Sequence, residues 1–126
     1  MTEDCKRQML QTLLPEGEQY IVTMVGKMKR PRQMYCYVGM TEHYVVIAEV
    51  NRKQPGVLVQ GEQLAMDEIR EVEIHRNVFG WEIVTLRTAV QTIQMVLKDH
   101  TVGTHLDKNL QLQGVKYLCQ RLNNTR

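Results

Sequence analysis

The chain has 126 residues, of which 43% are hydrophobic and 24% are charged, and its formal net charge is +2. The length and composition fit one folded domain around one core and exclude a disordered chain. The net charge is too small for the electrostatic field of the whole protein to attract nucleic acid. The three cysteines are odd in number and lack C-x-x-C spacing, which argues against a secreted disulfide framework. Without a signal peptide or a bilayer-length apolar run, we expect a complete cytoplasmic domain.

The first segment, 1–15, is predicted to be an amphipathic helix. Thr2 is placed to cap it, and the run Pro15-Glu16-Gly17 ends it because proline cannot continue a helix. The apolar side chains recur on one helical face. These residues are Cys5, Met9, Leu10, Leu13 and Leu14.

The middle of the chain changes to the two-residue alternation of β-strands. Segment 64–76 is ambiguous, since the alternation of Val72 and Ile74 favours a strand whereas Ile69 and Val72 also fit a helix. Short strands with short connections predict an antiparallel barrel or sandwich. The predicted strands are 19–29, 34–40, 44–50, a short one at 57–59 after a loop at 51–56, one within 64–76, and a hairpin of 81–87 with 90–98.

Helical spacing returns near the end of the chain. Thr104 and Asp107 resemble a capping box, and two asparagines at 123–124 end the helix. Gly114 costs roughly 1 kcal/mol relative to alanine, so it is either required for close approach to a sheet or simply tolerated. The predicted apolar stripe consists of Leu106, Leu110, Tyr117, Leu118 and Leu122.

Three runs of residues resemble segments of bacterial pleckstrin-homology-like (PH-like) and GRAM-like families. In VGMTEHYVVI, 38–47, a threonine opens a turn before an apolar strand, although the family usually has a basic residue close to where His43 stands. Segment 67–80 has an acidic residue with isoleucine, a strand and a glycine-containing turn. LPEGE at 14–18 precedes the first strand in a similar way.

The resemblance spans nearly the whole chain and implies a single PH-like domain over 1–126. The fold class would be mainly β (β+α): an N-terminal helix at 1–15, a barrel of about seven antiparallel strands at 18–99, and a capping amphipathic helix at 104–124. The resemblance does not determine the function. Members of the superfamily bind phosphoinositides or peptides or only assemble, and some bacterial members are thought to form ring-shaped homo-oligomers.

Four cations lie within six residues without an acid among them: Lys27, Lys29, Arg30 and Arg32. The resemblance places this basic loop where lipid-binding PH domains collect phosphate contacts. Lysine acts on phosphate as a point charge and arginine as a bidentate fork, and each basic residue near an anionic membrane contributes roughly 1 kcal/mol. The alternative is a solvated hairpin loop, which the absence of basic residues in 34–40 favours.

Two further features are candidates for contact with a protein partner. Glu68, Glu71 and Glu73 belong to an acidic stretch that could meet the basic loop of another copy and close a ring, with ordinary surface charge as the alternative. Phe79 and Trp81 flank a glycine in a turn, where large aromatics can anchor a partner. A hydrophobic lid over the barrel end is the alternative, and the preferred interpretation, for these aromatics.

No residue pattern predicts catalysis or a bound group. The chain has no serine, Cys36 alternates with apolar neighbours as an inert buried thiol would, and the four histidines lack metal-ligand spacing. We therefore predict no enzyme activity, metal, cofactor or nucleic acid. The expected function is a binding and assembly module that contacts a protein or peptide, including copies of itself. The alternative is peripheral binding of anionic lipid or phosphoinositide head groups through the basic loop.

Overall fold

The structure, a computed structural model, describes residues 1–98 and 105–124. It confirms the predicted mainly β class, with seven antiparallel strands between an N-terminal and a C-terminal helix. The elements are α1 Glu3–Thr12, β1 Val22–Arg30, β2 Met34–Met40, β3 Tyr44–Asn51, β4 Gln54–Ala65, a 3-10 turn at Met66–Glu68, β5 Glu71–Arg76, β6 Glu82–Arg87, β7 Thr92–Leu97 and α2 Lys108–Asn123.

The strands form one sheet in the order β4-β3-β2-β1-β7-β6-β5. Strand β1 joins its two halves, because it pairs with β2 from Val22 onward but with β7 only from Lys27 onward. Strands β4 and β5 follow each other in the chain yet lie at the two opposite edges. The sheet therefore wraps around a core, and in the described part of the chain these edges do not pair with each other.

The inner face of the sheet and one face of α2 enclose the main core. Ile93, Met95 and Leu97 all face inward, as predicted from their alternation. Cys36 is also buried, and burial raises the pKa of its thiol to about 12, so it stays protonated and inert. The helix contributes Val115, Leu118 and Leu122 to this core.

A second, smaller core lies on the outer face of the sheet, under α1. The helix begins as predicted, with the Cys5 N–H donating to Thr2 Oγ1 at 3.1 Å. Leu10 packs on Tyr37, Val46 and other buried residues of β2 and β3. Strand β3 is thus buried on both faces, which explains why its sequence is a continuous apolar run rather than an alternating one.

Helix α2 starts later than predicted, and the residue buried in its first turn differs from the predicted one. Asp107 caps it, accepting from the N–H groups of Asn109 and Leu110 at 2.9 and 3.1 Å, while Thr104 lies outside the described residues. Leu110 is 47% exposed, so its place in the predicted stripe was wrong. Gln111 is buried instead, because its amide pairs with the backbone of β1.

Gly114 is explained by close approach of α2 to the sheet. A Cβ at this position would lie 2.9 Å from the backbone oxygen of Thr23, which is closer than real Cβ atoms come to other heavy atoms without some shift. The helix–sheet contact therefore requires a residue without a side chain. Of the two explanations open from the sequence, the structure supports the first.

The fourth strand differs most from the sequence prediction. A short strand at 57–59 was predicted after a loop, whereas β4 has 12 residues and follows β3 through a two-residue turn. Its second half is polar and contains Gly61, so it has little intrinsic strand preference. It forms a strand because β3 supplies the pairing, with Ala48 opposite Gly61 and Val46 opposite Gln63.

Segment 64–76 resolves into the end of β4, the 3-10 turn and strand β5. The strand interpretation of Val72 and Ile74 is thereby confirmed, with Val72 buried and Ile74 packed against the same core. The local helical character around Ile69 is limited to the single turn that carries the chain from one sheet edge to the other.

Candidate functional site

The structure divides the four cations of the basic loop into two groups. Lys27 lies on the outer face of β1, with its ammonium 5.6 Å from the ring centroid of Tyr35. Arg30 is exposed at the end of the strand. Arg32 instead folds back onto Glu49 in a bidentate pair, with Nε to Oε1 at 2.8 Å and Nη2 to Oε2 at 2.6 Å.

This pair joins a partly exposed arginine to a carboxylate in the barrel interior. Glu49 lies opposite Cys36 in the register of β2 and β3, so both side chains point to the same face, and Glu49 is 0% exposed. The hydrogen bonds to Glu49 raise the pKa of Arg32 above its already high ordinary value, which keeps the guanidinium charged. Glu49 thus occupies the Nε and Nη2 side of the guanidinium, and an external anion could reach only the remaining N–H groups of Arg32.

The fold brings a second basic pair to the remaining cations. Arg52 and Lys53 form the turn between β3 and β4, and the Arg52 guanidinium lies 6.0 Å from the centroid of Tyr35, the ring that Lys27 also approaches. Neither residue was recognised from the sequence as part of this group, because both are distant in the chain from the basic loop. A depression of about 260 Å³ adjoins them, and its lining is Lys27, Gln33, Met34, Tyr35, Val50, Asn51 and Arg52.

The acidic stretch is partly neutralised within the chain. On β5, Glu71 and Glu73 both pair with Arg87 of β6, whose Nη1 lies 3.5 and 2.9 Å from their carboxylate oxygens. Glu68 lies exposed in the 3-10 turn and accepts a long 3.4 Å bond from the Ala65 N–H. This arrangement supports the surface-charge interpretation of Glu71 and Glu73 more than a ring contact through them.

The aromatic turn between β5 and β6 is ordered by its first residue. Asn77 Oδ1 accepts from the N–H groups of Phe79 and Trp81 at 2.9 and 3.0 Å. The two rings lie 5.0 Å apart, and Lys98 Nζ lies 4.1 Å from the Trp81 centroid. Phe79 is 70% exposed, so most of its surface faces solvent, which favours a contact anchor over the preferred lid interpretation for this residue.

The free edge of β4 was not identified from the sequence as a site. Val57, Leu58 and Val59 are consecutive and are 53%, 36% and 51% exposed. Strand β3 pairs with one side of β4, and within residues 1–98 and 105–124 no strand pairs with the other side. The run Gln54–Gly61 carries no charge. The apolar triplet was visible in the sequence, but which strand ends up at the edge was not.

The other polar cluster stabilises a turn. Glu18 accepts from the Thr41 hydroxyl at 2.7 Å and from His43, and these bonds lower the pKa of Glu18 while raising that of His43. In the described residues no three His, Cys, Asp or Glu side chains are grouped so as to hold a metal ion. Nor does either described helix have the length and hydropathy to cross a bilayer.

No protein-family model matches the chain, and no curated protein matches its sequence. Solved structures do share its architecture. The C-terminal domain of an unknown protein from Leishmania infantum matches with a TM-score of 0.54 and 16% identity, over 75% of this chain and 82% of that one. The hSac2 domain from human phosphoinositide phosphatase Sac2 matches with a TM-score of 0.55 and 16% identity, over 94% and 81%. The fold is PH-like. At this identity the likeness concerns the fold alone.

Proposed function

We propose that this PH-like protein is a non-catalytic binding and assembly module that acts through protein–protein contact, including contact with copies of itself. The free edge of β4 is the observation that carries the proposal. An edge strand presents unpaired N–H and C=O groups, and soluble proteins commonly protect such an edge with charged side chains. Here the run Gln54–Gly61 is uncharged and exposes three adjacent apolar side chains, which suits addition of a partner strand.

Other features are consistent with this proposal. The exposed ring of Phe79 offers a second contact anchor on an ordered turn. The buried, protonated thiol of Cys36 offers no nucleophile, which supports a non-enzymatic function. We also propose that the chain belongs to the bacterial PH-like family that its motifs resemble, and that it works in the reducing setting of the cytoplasm.

The mass of the protein in solution tests the proposal. We expect light scattering on a sizing column to give a discrete multimer whose population rises with protein concentration. Because the run Gln54–Gly61 has no charge and only the residues at its two ends do, high salt should weaken this multimer slightly without dissociating it. Dissociation by salt would instead indicate contacts between the basic loop and the acidic stretch. A monomer at all concentrations would contradict self-association and limit the protein–protein proposal to a different protein.

The convergence of Lys27 and Arg52 on Tyr35 favours a second candidate function. An open depression flanked by two cations suits peripheral binding of anionic lipid or phosphoinositide head groups. Lys29 is half-buried and Arg30 is exposed at the end of the same strand as Lys27, whereas Arg32 is held by Glu49. The ring of Tyr35 also lines this depression.

Vesicle co-sedimentation tests this candidate. We expect the Lys27→Glu/Arg52→Glu variant to bind vesicles containing anionic lipid at least about tenfold more weakly than wild type, since two attractive charges become repulsive. Arg32 is left in place so that Glu49 keeps its partner. The control Lys108→Glu/Lys116→Glu makes the same charge change on exposed positions of α2. Equal binding by all three proteins, or no binding by wild type, would exclude a lipid site in the depression.

A further inference from the structure

We propose that the free edge of β4 is occupied by the β4 edge of a second copy, paired antiparallel across a two-fold axis. This inference rests on the proposed function and specifies its partner. The surface involved, called here the β4 edge, consists of the run Gln54–Gly61 with the charged residues Arg52, Lys53 and Glu62 at its ends.

The rest of the molecule holds this strand in place for pairing. On one side β4 pairs with β3 from Ala65 to Gln60 and again at Leu58 and Gln54, while residues 55–57 lie outside this register. On its outer face, Leu13 of α1 packs over Gly61, and the Gln63 amide donates to the Leu13 carbonyl at 2.6 Å. The strand is thus fixed at its polar half, while Val57 and Leu58 remain exposed to solvent. A strand that is already ordered loses little further conformational entropy when a partner adds to it.

The charges at the ends of the edge favour a second copy in antiparallel orientation. Arg52 and Lys53 precede the uncharged run and Glu62 follows it. Antiparallel pairing centred on Val57 places Arg52 opposite Glu62 of the partner subunit, and the symmetry repeats this pair at the other end. Pairing centred on Leu58 keeps the same opposite charges within one or two residues. A parallel arrangement would bring like charges together.

The contact is limited to a short stretch. Pro55 lacks an N–H and can donate no ladder hydrogen bond. The register with β3 also shifts twice, once between Gln60 and Leu58, which leaves Val59 as a bulge, and once between Leu58 and Gln54. Both features shorten the stretch available to a partner strand. We therefore expect a reversible dimer whose population depends on concentration, with the apolar side chains of the two copies facing each other across the junction.

Analytical ultracentrifugation from nanomolar to high micromolar concentrations tests the inference. Val57→Lys/Val59→Lys places four cations at the junction of two copies, and we expect the dimer dissociation constant to rise by at least about tenfold. The control Val78→Lys/Val90→Lys changes two exposed valines in the turns beside β6 and should dimerise as wild type does. Circular dichroism and thermal unfolding establish that both variants fold.

A charge exchange tests the orientation. Glu62→Lys is expected to weaken the dimer, and adding Arg52→Glu and Lys53→Glu to it should restore affinity, because opposite charges again face each other in the antiparallel arrangement. Restoration of this kind cannot result from a folding defect. A triple variant that stays as weak as Glu62→Lys alone would overturn the antiparallel assignment.

The outcomes separate this inference from the proposed function. A wild-type dimer that is lost in Val57→Lys/Val59→Lys and kept in the control supports both. A dimer that persists in Val57→Lys/Val59→Lys overturns the β4 pairing but leaves self-association through another surface. A wild type that is monomeric throughout overturns both the pairing and self-association.

Discussion

Replacing Arg32 with alanine is expected to lower the free energy of unfolding by about 3 kcal/mol. The Glu49 carboxylate is fully buried, and its two oxygens accept from Arg32. Without the guanidinium, this carboxylate is left in the barrel interior without a countercharge, and breaking such a buried pair costs about 3–5 kcal/mol. We expect the lower end of this energy range because the Arg32 side chain is itself partly exposed to solvent. Urea unfolding with an unchanged m-value measures the loss.

Two further variants show whether the loss comes from the buried carboxylate. Arg30→Ala removes a neighbouring exposed cation and should change stability by less than about 0.5 kcal/mol. Arg32→Met with Glu49→Leu replaces the pair by apolar side chains of similar volume, which is often neutral or stabilising. If this double variant is as unstable as Arg32→Ala, the contribution of Arg32 is packing and not charge compensation.

This expectation bears on the second candidate function. An Arg32 variant would reduce binding to vesicles simply by unfolding part of the protein, so it cannot identify a lipid site. Lys27 and Arg52 are the informative positions, because both lie outside the core and flank the depression. Of the four cations recognised in the sequence, the structure thus leaves three on the surface and gives one a structural contact.

Replacing Gln111 with leucine is expected to cost about 2–3 kcal/mol. The buried amide accepts from the Val25 N–H at 2.9 Å and donates to the carbonyls of Val25 and Lys98 at 2.9 and 2.8 Å. Leucine has a similar volume but would leave these backbone groups without partners, at about 1–3 kcal/mol for each buried unsatisfied group, reduced where water can enter. Gln113→Leu, an exposed position of the same helix, is the matched control and should be nearly neutral.

Amide hydrogen exchange gives a local readout of the same substitution. The Val25 amide should exchange faster in Gln111→Leu than the global loss of stability accounts for, because its acceptor is the side chain that was removed. Amides of β6, which are distant from the helix N-terminus, should follow global unfolding alone. Unchanged protection of Val25 relative to β6 would show that the backbone finds another acceptor.

The importance of Gln111 follows from the shape of the sheet. Strand β1 pairs with β7 only from Lys27 onward, so at Val25 one side of the strand has no neighbouring strand. The side-chain amide of Gln111 presents one acceptor and two donors, and it takes the place of the missing backbone. It also attaches α2 to the barrel, at the place where Gly114 allows the two to approach closely.

Much of the fold could be predicted because its signals are local. Alternation over 34–40 predicted β2 with the bounds that the structure has, and it placed Ile93, Met95 and Leu97 on the inner face. Thr2 was recognised as the cap of α1 for the same reason, since capping involves only the first turn of the helix. Such features depend on neighbours within a few residues, which the sequence displays directly.

The functional surfaces depended on contacts between residues far apart in the chain, and these only the tertiary structure decided. Strand pairing extended β4 through Gly61, where intrinsic preference is low, and the sheet order left the other side of that strand free. The same meander brought Arg52 to Lys27 and took Arg32 away to Glu49. The charge and hydropathy of each segment could be read directly from the sequence. Which cation meets a buried carboxylate, and which strand lies at an edge, follows from register and packing across the sheet.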